Sequence, residues 1–396
     1  MESEWSPALD GLLVVELGHV LAGPFAATLL GDFGADVIKI EKPGTGDGQR
    51  SMGPRVGSTP LWFSVLGRNK KSVAIDIKSA EGFSILTQIL RRADVLIENF
   101  RPGTIERLGL TPEVLDDVNS RLVVLRISGF GQTGPYSSRR GFGKVAEAFS
   151  GATNLTGDAS GIPHHPGYSL GDLTAGMLGA FGVMVALQER VRTGRGQVID
   201  LALYEALFRM IEWQVPITVA TGRSVQRTGN KFPFDGAYST DIYATADQRF
   251  VAVSASSPRL ILALDQFVRE RVPGLSEPPP AGARELTDAL GGWISTRKAE
   301  PAITELDEAG IIAGLICTPE VLLRDPHIEA RQDIVVVPDS DSQPISMPNA
   351  LPFLSRTPGR VRWAAPALGQ HTEEVLQDYL GLSDERLERL RDLGVI

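Results

Sequence analysis

Asp172 is the residue in this chain best placed to do chemistry. It stands in Gly167-Tyr168-Ser169-Leu170-Gly171-Asp172-Leu173-Thr174-Ala175-Gly176, with no other charge between His165 and Glu189. The small and apolar run from Leu173 to Leu187 predicts one buried helix behind it. Two roles fit an acid in that setting. It can cap free N–H groups at the helix start, with the helix dipole holding it ionised. It can also act as a nucleophile, dry on one side and kept charged by backbone donors, able to form an acyl-enzyme. The local pattern leaves both open.

Other reactive residues are sparse. The five histidines are His19, the pair His164-His165, His327 and His371. None pairs with another at metal-ligand spacing, so no metal site is expected. His19 closes the first predicted strand and reads equally as a ligand contact or as a structural histidine. There is no Gly-x-Ser-x-Gly elbow, and the single cysteine, Cys317, has no base near it in sequence. Hydrolysis through serine or cysteine is therefore unsupported. One cysteine also excludes internal disulfides and fits a reducing compartment.

The elements that must position these residues follow from hydrophobic runs. Leu12–Leu17 and Ala35–Glu41 read as buried strands flanking a turn (18–24) and a helix from Phe25 to Phe33, with Pro24 at its first position. This is a β-α-β unit of the doubly wound kind. A nicotinamide cofactor is the natural first thought. The turn has only Gly18 and Gly23 and lacks Gly-x-Gly-x-x-Gly, so Glu41 reads as a structural strand end rather than a ribose ligand. Residues 49–69 read as mostly irregular, anchored by Trp62-Phe63. Further strands are expected at 72–77, 94–100 and 122–127, with helices at 80–92 and 110–118. That alternation predicts an α/β fold with a parallel sheet and its ligand crevice at the strand C-termini. His19, Lys42, Asn99, Arg101 and the loop Gly129–Gly134 collect there, which suits an anionic ligand.

The expected domains are a large Rossmann-like part (1–213), a linker (214–233), a smaller α+β domain (234–325), and a return segment (326–396) completing the large domain. The composition is 42% hydrophobic and 22% charged with a net charge of -9 and no Lys/Arg-rich run, which argues against nucleic acid or an anionic membrane as partner. Met1-Glu2-Ser3-Glu4-Trp5 does not read as a signal peptide, and the run after Asp172 reads as too short and too lightly hydrophobic to span a membrane. A cytoplasmic protein is expected.

Several separated motifs give the sequence a specific likeness. They are His19-Val20-Leu21-Ala22-Gly23-Pro24, the stretch Gly34–Glu41, Asn69-Lys70-Lys71-Ser72, Glu98-Asn99-Phe100-Arg101-Pro102-Gly103, Gly171-Asp172, Arg192–Gln197, Asp325-Pro326-His327 and Leu368-Gly369-Gln370-His371-Thr372. In this order the chain resembles, over nearly its whole length, the family III CoA-transferases (the CaiB/BaiF family, which contains formyl-CoA transferase). The resemblance implies an interlocked homodimer and puts the family's nucleophilic aspartate on Asp172. It implies that CoA moves from an acyl-CoA donor to a carboxylic acid acceptor through mixed-anhydride and aspartyl-CoA thioester intermediates, with coenzyme A as the only cofactor and no metal. The family's CoA contacts carry over to His19, Leu21, Ala22, Lys42, Ile75, Lys78, Asn99, Phe100, Arg101, Arg107, Arg139 and Phe142. Lys42 and Arg107 would meet phosphates, Lys42 standing where an arginine is often found, and Phe142 would stack on or pack against the coenzyme.

Two departures narrow the reading. Gly143-Lys144 stands where many members have an acid after the residue matching Phe142, and Phe234-Asp235-Gly236 replaces the glycine-rich lid of formyl-CoA transferase. Formyl or oxalate specificity is therefore not expected, and Trp62, Phe232 and Phe234 suggest a larger acyl group. The rival within the fold is an α-methylacyl-CoA racemase, which needs a proton acceptor on each side of the α-carbon. That branch has Gly-His-Asp where this chain has Gly141-Phe142-Gly143. A third reading is a catalytically silent CoA-binding subunit of a hetero-oligomer.

Overall fold

A computed structural model describes residues 6–231, 239–275 and 284–396. Met1–Trp5, the lid replacement Phe234–Gly236, Phe232, the strand start Ala237-Tyr238 and most of the expected Pro273–Ala283 loop lie outside the described residues. The chain forms two compact units: Met1–Gly151 with Pro166–Met210 and His327–Ile396, and Ala152–His165 with Ile211–Pro326.

The first unit is built on six parallel strands, β1 (Leu13–Glu16), β2 (Asp36–Glu41), β3 (Lys70–Ala74), β4 (Val95–Glu98), β5 (Val123–Ser128) and β6 (Val198–Ala202), in the order β3-β2-β1-β4-β5-β6. Each central strand is a short run rich in Val, Ile and Leu, as a sheet covered on both faces requires. On one face Ile85, Leu86 and Ile89 of the helix Ala80–Leu90 pack with Val375, Leu376, Leu387 and Leu390 from the last two helices of the chain. On the other face lie Ala26, Ala27 and Leu30 of the helix Ala22–Asp32, together with Ala175, Val183 and Ala186 of the helix Leu170–Thr193.

The chain leaves β1 first toward β2 and β3, then returns to β4 on its other side. A crevice therefore opens outside the C-terminal ends of β1 and β4. The loops after β1 to β5 all end at that edge, which is why residues far apart in sequence meet there. The second unit carries an antiparallel sheet of Ser239–Ala244, Phe250–Ala255 and Ile312–Leu315, covered by the helices Pro258–Arg271, Arg284–Ser295 and Ala299–Glu308 around Tyr243, Phe267 and Trp293.

Several sequence expectations shift. The first helix begins at Ala22, so Pro24 is its third residue and not its first. Residues expected to be irregular hold a short helix, Leu61–Leu66, because Phe63, Ser64 and Leu66 form a buried face that packing stabilises. The helix after Asp172 runs from Leu170 to Thr193. Its 24 residues are long and apolar enough to cross a membrane by length and composition, which corrects the expectation that the run is too short. Half of its most apolar window is buried inside the protein, against the first helix and the sheet, as in a core helix.

Candidate active site

The turn after β1 is held from three sides. The Asn99 side chain accepts from the His19 N–H at 2.7 Å and donates to the His19 carbonyl at 2.8 Å, so a strand-end amide imitates a neighbouring strand. Lys39 donates to the Gly18 carbonyl at 2.9 Å, and Asp47 accepts the Val20 N–H at 3.1 Å. Val20 adopts φ 65°, a conformation costly for a β-branched residue and tolerated where its surroundings over-determine it.

Beneath this turn lies a buried ion cluster. Lys39 reaches Glu16 at 2.6 Å and Asp47 at 2.8 Å, while Lys70 reaches the other Glu16 oxygen at 2.7 Å and the Pro24 carbonyl at 2.7 Å. Burial alone would lower the Lys39 pKa, but the carboxylates of Glu16, Asp47 and Glu41 outweigh it and raise the value above the ordinary lysine range. Lys70 falls to about 8, chiefly by burial, with Glu16 opposing and Lys39 adding to the fall. Asp47 is held down at about 2, since Lys39 and the N–H groups of Gln49 and Val20 overcome its burial. His19 is lowered from 6.5 by burial and then by Lys39, so its imidazole is neutral at pH 7. Its ring meets Phe100 edge-on at 5.2 Å. Glu41 is buried and takes both Arg50 and Ser72, which agrees with its reading as a structural strand end.

Asp172 and every residue to which the resemblance assigns a CoA contact line one of two cavities at the crevice. The smaller, about 210 Å³, holds Asp172 with His19, Leu21, Ala22, Asn99, Phe100, Arg101, Arg139 and Phe142. The larger, about 560 Å³, holds Lys42, Ile75, Lys78 and Arg107, and shares His19 and Phe100 with the first. The five cations among these residues are exposed, as is Phe142, so the mouth presents positive charge beside an open aromatic face. Arg139 lies over the Tyr136 ring at 3.6 Å.

Asp172 itself departs from the helix-cap role. The N-cap position is Ser169, which makes no side-chain cap, and Asp172 lies three positions further on within the first turn. The dipole does not hold its pKa down. Burial, then the Glu147 carboxylate, push it from 3.8 to about 6, while Lys144 and its own backbone N–H only partly offset them. Lys144 and Glu147 belong to the helix Gly143–Phe149; the sequence showed Lys144 only as a departure from the family pattern and gave no sign of Glu147. Spaced three apart they read as a surface ion pair, yet Glu147 is buried and also accepts the Gly171 N–H at 3.1 Å. Lys144 donates to Glu147 at 3.0 Å and to the carbonyls of Pro166 and Tyr168 at 3.0 and 2.8 Å, tying the loop before Asp172 to that helix. Gly143 explains one departure in the motif pattern. A Cβ there would stand 2.0 Å from Asp172 Oδ2, so the carboxylate fills the space that a side chain would need.

The arrangement is a half-buried carboxylate of raised pKa, walled by glycine backbone and apolar side chains, at the inner end of a cationic crevice on a doubly wound sheet. Such a crevice suits an anionic ligand placed beside a carboxylate. Residues 9–372 match the family model of CoA-transferase family III, and the chain belongs to that family. It is similar along its full length, at 41% identity covering 100% of both chains, to the succinyl-CoA–D-citramalate CoA-transferase of Chloroflexus aurantiacus. The formyl-CoA:oxalate CoA-transferase of Rhodopseudomonas palustris (strain TIE-1) is 32% identical over 98% of this chain and 97% of the relative. Among solved structures, a CAIB/BAIF family protein from Brucella suis superposes with a TM-score of 0.83 at 28% identity, covering 94% of this chain and 99% of the other. This protein is a CoA-transferase.

Proposed function

We propose that the protein moves CoA from an acyl-CoA thioester to a free carboxylic acid by way of Asp172. Its carboxylate attacks the thioester carbonyl, and the C–S electron pair leaves with CoA thiolate, giving a mixed anhydride. The thiolate then attacks the aspartyl carbonyl, releasing the donor acid and leaving CoA on Asp172 as a thioester. The acceptor carboxylate attacks that thioester, and the same steps run in reverse order. The observation that carries this reading is the Asp172 carboxylate in the wall of the smaller cavity, dry enough for its pKa to rise and, at about 6, still mostly ionised at pH 7. Lys42, Lys78 and Arg107 in the neighbouring cavity suit the coenzyme's phosphates, and Phe142 its hydrophobic parts. The racemase reading finds no support, because Phe142 and Gly143 offer no proton acceptor beside Asp172.

The donor and acceptor to test first are succinyl-CoA and hydroxy dicarboxylates of the malate and citramalate class, since relatives at 41% and 37% identity carry those names. The exposed apolar face of the helix Leu170–Thr193, with Met177, Phe181, Met184 and Val185, supports a second copy of the chain as partner. Relatives named as α and β subunits make an unlike partner the alternative that light scattering of the purified chain resolves. The decisive experiment is Asp172→Ala, with hydroxylamine added to wild type and acyl-CoA. Transfer should vanish in the variant while CoA still binds, and a hydroxamate should appear on Asp172 in wild type. Turnover by the variant would refute the assignment.

A further inference from the structure

Strand β5 ends inside the smaller cavity, and its last side chain is not accounted for by the fold. Ser128 is 4% exposed and lines the cavity with Asp172, and its Oγ has no hydrogen-bond partner among the described residues. Leaving a buried hydroxyl without a partner costs about 1–3 kcal/mol, and native proteins hold few such groups. Other serines of this unit show the usual outcome. Ser150 donates to the Glu147 carbonyl at 2.8 Å, Ser72 to Glu41 at 2.6 Å, and Ser64 to the Pro60 carbonyl at 3.0 Å.

The strand geometry explains why Ser128 is different. Arg126, two residues back on the same face, is tied to Glu98 at 2.7 Å and Glu106 at 2.8 Å. One step further along that face the ion pairs end, and Ser128 reaches the cavity lining with its Oγ unpartnered. Next to it the backbones of Gly129 and Gly141 press together so closely that a Cβ on Gly129 would lie 2.8 Å from the Gly141 Cα. Ser128 thus lines the cavity with an Oγ that no described residue satisfies.

We propose that the Ser128 hydroxyl donates a hydrogen bond to the acyl oxygen of the group held against Asp172, orienting the carbonyl that the carboxylate attacks. This rests on the Asp172 reading above. Ser128 forms no covalent bond and keeps its proton. As the aspartyl oxygen bonds to the acyl carbon and the C–S pair leaves with CoA, negative charge grows on the carbonyl oxygen and the hydrogen bond strengthens. Thioester and mixed anhydride both present such an oxygen, so one donor serves each exchange. The ligand class is an acyl carbonyl, not a phosphate.

The test compares Ser128→Ala, which removes one oxygen, with Ser128→Thr, which keeps the hydroxyl. The probe is succinyl-CoA or whichever thioester a donor screen selects, with free CoA as a binding control. Ser128→Ala should lower kcat about 10- to 1,000-fold, the range for losing one donor to a developing oxyanion. KM for the thioester and the dissociation constant of free CoA should change less than about threefold. Its thermal stability should equal or exceed that of wild type, because an unpaired hydroxyl is removed, and Ser128→Thr should recover part of kcat. An Ala variant with kcat within twofold of wild type, one whose loss lies in CoA affinity, or one less stable than wild type would each overturn the proposal. Asp172→Ala run alongside keeps the two ideas apart: its continued turnover defeats the nucleophile reading, while Ser128 is judged on its own kcat.

Discussion

Asp172→Asn should make the protein inactive and more stable at neutral pH. The Asp172 carboxyl has a pKa of about 6 in the folded chain against an ordinary 3.8, through burial first and the Glu147 charge second. A group whose folded value is raised contributes stability that is complete below its unfolded pKa and is lost as pH rises through the folded one. Wild type therefore gives up stability between about pH 4 and pH 6, and the loss is complete by pH 7. At about 1.4 kcal/mol for each pH unit, the rise from 3.8 to about 6 corresponds to about 3 kcal/mol as an upper value. Asparagine has nearly the same shape and no charge, so it escapes that cost. With an unfolding entropy of about 2.1 cal/mol/K per residue, 396 residues convert the difference to a Tm gain of about 4 °C if the chain melts as one, and more if the first unit melts alone. The assay is a pair of melts at pH 4.5 and pH 7.5. The gain should be small at the lower pH and nearly complete at the higher. Equal stability of the two proteins at pH 7.5, or the same gain at both values, would refute the claim that the reactive carboxylate is strained by its surroundings.

Glu147→Gln removes the charge that pushes Asp172 upward, so the acid limb of the transfer rate should move to lower pH by roughly half to one unit; an unmoved limb in a pH–kcat/KM profile would show that another group controls it. Gly143→Ala should cut kcat at least tenfold with little effect on Tm, because the added carbon displaces the rotatable Asp172 carboxylate and not backbone; wild-type turnover would mean that the carboxylate position is immaterial. Glu16→Ala leaves Lys39 and Lys70 buried without their shared partner, and denaturant unfolding should show a loss of about 3–5 kcal/mol.

The strands and the crevice were legible because each central strand is a compact apolar run and each ends in residues of a different kind. His19, Lys42, Asn99 and Arg101 could be assigned to one edge from alternation alone, since parallel strands put all their C-termini on the same side. What stayed hidden depends on burial, which periodicity does not report for short segments. Lys144 and Glu147 carry the spacing of an ordinary surface pair, and only the packing of the helix Gly143–Phe149 against the start of the helix at Leu170 puts the glutamate where it bears on Asp172. The direction of the Asp172 shift was hidden for the same reason. A helix terminus favours a charged acid by about 0.3–1 kcal/mol when exposed, and desolvation beside a second buried carboxylate exceeds that several-fold. Ser128 was the least visible of all, because a serine closing a hydrophobic strand is indistinguishable in sequence from a loop residue. Its meaning lies in the lack of a partner among the described residues inside a cavity that Asp172 also lines. The same logic ranks the site's residues: those legible in sequence line a cationic crevice, while Glu147 and Lys144, visible only in three dimensions, set the charge state of the Asp172 carboxylate within it.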